Sequence, residues 1–207
     1  MISRFFTFEE HATLIEGAYH FPLVILSLMV AVFASFMAFN VAGQAAITED
    51  KLRRNTLLGT GSVALGGGIW SMHFLGMTAF DLCLPVDYDP LITGLSAVPG
   101  IAAAWVALHL LTKSRISLAE IMIGGVLVGA GIGTMHYSGM AAMEMAPLLR
   151  YDLGMFALSI VVAVCLAMLS LWIKFGITAA TKSKKLLGKH VLLASIIMGL
   201  AISGMHY

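Results

Sequence analysis

Three histidines in this chain share a local signature built from metal-binding side chains. It reads SMHFLGM at Ser71–Met77, TMHYSGM at Thr134–Met140 and GMHY at Gly204–Tyr207. Each copy joins Met to His and then to an aromatic residue. The two complete copies add Gly and Met three and four positions after the His. His73, His136 and His206 are 63 and 70 residues apart, which makes the pattern an internal repeat. On a helix, positions four apart stack on one face, so His73 aligns with Met77 and His136 with Met140, and Met143 continues the second stripe. Gly76 and Gly139, three residues after a His, remove bulk beside the imidazole.

Imidazole nitrogen with thioether sulfur is a borderline-to-soft donor set. It suits copper, especially Cu(I), better than the oxygen-seeking Ca²⁺ or Mg²⁺. Three converging imidazoles also suit Zn²⁺, and iron stays open. The candidate ligands are His73, His136 and His206, then Met77 and Met140. Met72, Met135 and Met205 are rotated by about 100° from the neighbouring His and face an adjacent helix or the edge of the site. The competing readings are ordinary. A single membrane His is commonly a packing device, and in a chain with 14 Met most are core fillers. Recurrence at three equivalent positions favours the metal.

The elements that must position these residues are membrane helices. The chain is 59% hydrophobic and 11% charged, where a soluble domain carries about 25% charged residues. Charges cluster between continuous apolar runs of about 20 residues, each long enough to cross a bilayer and without the alternation of a barrel strand. The expected spans are 20–43, 56–79, 91–112, 119–143, 153–176 and 190–207, an all-α polytopic bundle that forms one domain over 1–207. The motif falls on spans two, four and six, which predicts three tandem helix-pair repeats with the motif helices facing each other. Small-residue ladders (Gly125, Gly129 and Gly133; Ser195, Gly199 and Ser203; Ala64, Gly68 and Gly76) are expected to let them approach. The third copy is cut at Tyr207, so a seventh span is expected beyond it.

Ten of the 12 basic residues lie in the loops after spans one, three and five, among them Lys51, Arg53, Arg54, Lys113, Arg115 and Lys182. The positive-inside rule then makes those loops cytoplasmic and the N-terminus external. His73, His136 and His206 come to one depth in the outer leaflet, with His11 and His20 on the same side. A net charge of +1 gives no reason to expect nucleic acid. Cys83, in an outer loop, and Cys165, inside span five, are read as free thiols.

At these residues the chain resembles the MHYT domain, a bacterial integral-membrane sensor module named for a repeated Met-His-Tyr-Thr motif. The copies here are Met72-His73-Phe74-Leu75, Met135-His136-Tyr137-Ser138 and Met205-His206-Tyr207, and LPVDYDP follows the first. The final Thr is replaced in both complete copies. The resemblance implies a seven-span sensor that binds copper through these Met and His side chains and senses O2, CO or NO. It also implies a cytoplasmic signalling domain in cis, such as a cyclic-di-GMP cyclase, a phosphodiesterase or a kinase; such enzymes commonly work as dimers, which makes a homodimer one option and leaves the oligomeric state open.

The expectation is therefore a sensory input domain without catalysis of its own, with membrane lipid, a diatomic gas and the signalling domain as partners. A membrane copper carrier using the same ligands is the alternative, and it needs polar stepping stones through the inner half of the bundle. A haem oxidoreductase lacks any Cys-x-x-Cys-His here, and a metal-free pH sensor would rest on the imidazoles alone.

Overall fold

Polar residues at the ends of the apolar runs set where each helix begins. In the computed structural model, α1 (Phe21–Ile47) has Pro22 in its first turn, where its missing N–H is no loss. Asp50 caps α2 (Lys51–Ala79) by accepting from the Leu52 amide, and Asp89 caps α3 (Pro90–Leu111) by accepting from Ile92. Ser117 and Glu120 form a reciprocal capping box at α4 (Leu118–Met140). The last two helices are α5 (Leu153–Ala180) and α6 (Lys184–Gly204). The structure describes residues 6–7, 17–82, 84–145, 150–180, 184–204 and 206, with side chains except at 6–7, 174–180 and 184–190. Cys83, His11, Lys182 and Met205 lie outside the described residues.

Each helix packs on its neighbours in sequence, and α6 closes the ring onto α1. Large apolar side chains point outward, including Phe33, Leu95, Ile123, Val161, Trp172 and Leu200. The interior is built of small residues: Ala31, Ala38, Ala103, Ala104 and Ala107 are buried, with Ser27, Ser62 and Ser195. The buried serines donate to carbonyls of their own helices, as Ser62 does to Leu58 at 2.6 Å and Ser195 to Val191 at 2.7 Å. An apolar exterior around a small-residue interior is what lipid selects, because bulk outside gains contact with acyl chains and small residues inside let backbones meet. The fold is an all-α membrane bundle. By length and composition, α1, α3, α4 and Leu153–Ile173 of α5 are able to cross a bilayer. Helix α2 is longer than any of these but glycine-rich, and among large apolar residues it exposes only Leu52 and Val63.

The small-residue ladders do not join the motif helices to one another. A Cβ on Gly129 would come 2.6 Å from Val164 Cα of α5, and one on Gly199 would come 2.8 Å from Val32 Cα of α1. On α2, Gly68 meets Ala34 of α1, Gly66 meets the Ile101 backbone of α3, and Ala64 is exposed. Each motif helix is thus wedged against odd-numbered helices. The reason is geometric: in a six-membered ring alternate helices are separated by the ones between them.

Six two-residue strands close one end of the bundle. They pair β2 (Ala18–Tyr19) with β3 (Phe80–Asp81), β4 (Asp87–Tyr88) with β5 (Met143–Glu144), and β1 (Phe6–Thr7) with β6 (Tyr151–Asp152). Met143 therefore belongs to β5 and does not extend the stripe of α4. That helix ends at Met140, and the Asp89 amide donates to the Ala142 carbonyl at 2.9 Å, drawing the chain sideways.

Candidate metal centre

The strand-closed end of the bundle is also the motif end. His73 is placed by the last two turns of α2, His136 by those of α4, and His206 by the residues just after α6. Local packing holds the rings. Phe74 presents to His73 edge-on at 5.1 Å between centroids, and Tyr137 does the same to His136 at 4.9 Å. Tyr137 in turn hydrogen-bonds Ser159 of α5, while Trp70 donates to the Thr93 carbonyl and Ser96 Oγ of α3, each at 3.0 Å. The aromatic residue of each complete motif thus braces its own histidine.

The three imidazoles meet. Nδ1 of His73 lies 3.2 Å from Nδ1 of His136 and 3.2 Å from Nδ1 of His206. One ligand atom from each of the three falls within 4.8 Å of the others. His73 is 1% and His136 9% exposed, so these nitrogens have left water. A neutral imidazole nitrogen either donates or accepts, so His73 Nδ1 cannot make two full hydrogen bonds to two such neighbours. His73 Nε2 is buried with no hydrogen-bond partner. Among the described residues His73 is thus left short of partners, and a cation shared by the converging rings would supply one. Tetrahedral coordination at about 2.0–2.1 Å places nitrogens roughly 3.3 Å apart, close to the spacing of the His73–His136 and His73–His206 pairs. The His73, His136 and His206 donor set therefore fits a metal ion.

The methionines divide. Met77 and Met140 line a cavity of about 520 Å³ on the strand side of the triad, together with His136, His206, Met143 and Asp81. Met72 and Met135 are 1% and 0% exposed and belong to the hydrophobic core, Met135 beside Gly100 of α3. Their positions follow from the 100° step that separates each from its histidine. Met205 lies outside the described residues. His20 also lines the cavity, 3.7 Å from Asp81, as an exposed pair that contributes little stability. His109 sits at the opposite end of α3 beside Trp105. Cys165 is a free, exposed thiol.

Two features escape a reading of one motif at a time. Gly139 of the second copy lies against the His73 ring of the first. The His206 ring of the third copy has the Gly76 backbone of the first as a hydrogen-bond partner. Each of these glycines thus meets a histidine from another copy, Gly139 by leaving room for its ring and Gly76 through its backbone. Secondly, Ile69, Ile132 and Ile202, each four residues before its histidine, form a buried apolar layer beneath the triad. Comparing the three copies upstream of their shared signature was the signal for this layer.

Fold and site together define a multi-pass helical membrane domain with a histidine cluster at one end. The pattern of the MHYT repeat, described as a bacterial signalling protein N terminal repeat, matches residues 66–124 and 129–188. The chain belongs to the MHYT family. It is 38% identical over 191 residues to the bifunctional diguanylate cyclase/cyclic di-GMP phosphodiesterase MucR of Pseudomonas aeruginosa, covering 92% of this chain and 27% of that protein. It is 32% identical to the signaling protein YkoW of Bacillus subtilis, covering 93% and 24%, and 31% identical to the cyclic di-GMP phosphodiesterase NbdA of P. aeruginosa, covering 89% and 23%. The chain spans about a quarter of the length of these relatives. It is a sensory domain, and the enzyme activities in two of those names are those of the longer proteins. No solved structure matches it.

Proposed function

We propose that this domain senses through a metal held by His73, His136 and His206, with copper as the preferred ion. The carrying observation is the convergence of three imidazoles from α2, α4 and the end of α6, with His73 Nδ1 3.2 Å from Nδ1 of both His136 and His206. Met77 and Met140 line the adjoining cavity and are the thioethers placed to complete a soft donor set. When bound, copper supplies an exchangeable coordination position for O2, CO or NO, or a redox change. The chain's own part is to hold the three rings dry and aimed inward.

Helices α2, α4 and α6 have few direct contacts with one another, so the triad is their principal junction. A change in how tightly the rings converge is then a shift of these helices against α1, α3 and α5, the kind of interface movement that can switch between discrete arrangements. With the basic loops cytoplasmic and the N-terminus outside, the shift passes inward to a cyclic-di-GMP cyclase or phosphodiesterase in cis, in a homodimer. To control such an output strongly it must favour one arrangement by a few kcal/mol.

The test is metal analysis of the purified protein beside a His73→Ala/His136→Ala/His206→Ala variant, with helical content checked in both. Metal in the parent and none in a helical variant is the expected result. Equal metal in both, or none in a parent offered copper, zinc or iron, overturns the reading. Copper uptake into vesicles would instead point to a carrier, a reading that finds no support in the apolar layer beneath the triad.

A further inference from the structure

A narrow cavity of about 40 Å³ runs beneath the histidine triad. It touches every helix except α1. Ile69, Ile132 and Ile202 stand one helical turn, about 6 Å, below His73, His136 and His206. Leu65, Val128 and Met198 line the next turn down, so the threefold repeat continues inward as two apolar layers. Small residues of α3 and α5, among them Ala104, Ala107 and Ala167, leave the space open. The sole polar side chain lining it is Ser170, whose hydroxyl donates to the Leu166 carbonyl at 2.8 Å.

Water needs two to four polar partners to reside in a cavity, and here the Ser170 oxygen, its proton already given to Leu166, is the single polar group lining it. A larger apolar cavity of about 150 Å³ stays dry and takes up benzene or xenon, whereas this one has room for a single molecule of two or three atoms. The triad lies between two unlike spaces: the larger cavity of mixed polar and apolar lining that His136 and His206 face, and this almost wholly apolar one behind the isoleucines. Small nonpolar molecules leave water for hydrocarbon. We propose that the Ile69–Ile132–Ile202 chamber is a binding site for one small nonpolar molecule, which reaches the histidine cluster from the membrane side and not through the aqueous cavity. Its role in sensing rests on the metal reading above. Its occupancy does not.

Xenon is the probe, because it binds apolar cavities without needing a metal. The protein, labelled at isoleucine δ1 methyls and embedded in nanodiscs, is titrated with xenon pressure. Saturable shifts are expected for Ile69, Ile132 and Ile202, against linear ones for the lipid-facing Ile123 and Ile196. Ala107→Val and Ala167→Val, which fill the chamber from different walls, should each weaken binding by about tenfold, while the lipid-facing Ala102→Val leaves it unchanged. Linear shifts throughout, or saturable ones indifferent to both filling variants, overturn the chamber. A separate arm follows CO binding to copper-loaded protein, where slower association in the filled variants is expected. Unchanged CO kinetics with intact xenon binding would remove the delivery role. Xenon binding by a protein that takes up no metal would keep the chamber and defeat the metal reading instead.

Discussion

Gly139 and His73 belong to different copies of the motif yet occupy one space: a Cβ on Gly139 would lie 2.6 Å from His73 Nε2 and 2.9 Å from Cδ2. The glycine of the second copy is therefore the seat of the first histidine. Gly76 stands in a related position toward His206 through its backbone. Two copies of the motif thus each support a histidine of another copy.

Gly139→Ala should push the His73 ring out of register while leaving all three histidines present. Groups that orient metal ligands typically change affinity by about 10- to 100-fold, and a loss of roughly tenfold is expected in metal titration. The His73 ring resonances should move in the metal-free protein as well. Unchanged resonances and unchanged affinity would falsify the seat.

Gly66→Val tests packing away from the site. A Cβ there meets Ile101 Cα at 2.5 Å and Ile101 N at 2.7 Å, backbone atoms that cannot rotate aside. Forced separation of α2 and α3 should cost about 1–3 kcal/mol, read as earlier unfolding in a denaturant or thermal series. The same substitution at Gly67, where no atom lies within 4 Å, should have a much smaller effect.

Tyr151, in the strand-closed end, should ionise late. Burial raises its phenol from the usual 10.0 to about 12, and Tyr137 nearby adds to the shift. A raised folded-state value means the fold favours the protonated phenol. That contribution is complete below pH 10 and disappears as pH climbs through about 12. An absorbance titration should show one late component that Tyr151→Phe removes. Titration of Tyr151 together with exposed phenols near pH 10 would contradict the burial.

Bound metal should leave in acid, because each ring must stay unprotonated at its ligating nitrogen. Several protons compete for one ion, so occupancy should fall more steeply than a single titration. The check is metal content against pH after rapid desalting. A shallow one-proton curve would mean that one histidine, not three, holds the ion.

The membrane class, the helices and the candidate histidines were all legible in the sequence. Unbroken apolar runs can satisfy their backbone in lipid only as helices or closed barrels, and a repeated His in such runs is too costly to be idle. Apolar runs alone put the second span's start at 56, whereas the Asp50 cap begins α2 at Lys51, because a helix extends past its lipid-facing stretch to wherever a cap satisfies its first amides. Tertiary structure alone decided what those helices face. That Gly129 meets Val164 and not another motif helix, and that Gly139 seats His73, depends on the ring order of six helices, which no periodicity within one helix encodes. The methionines, by contrast, follow local spacing: Met77, four residues after His73, lines the open cavity, and Met135, a 100° step from His136, is packed in the core. Local spacing sets the direction of a side chain around its own helix axis; only the neighbour on that side determines whether it meets a ligand, lipid or another helix.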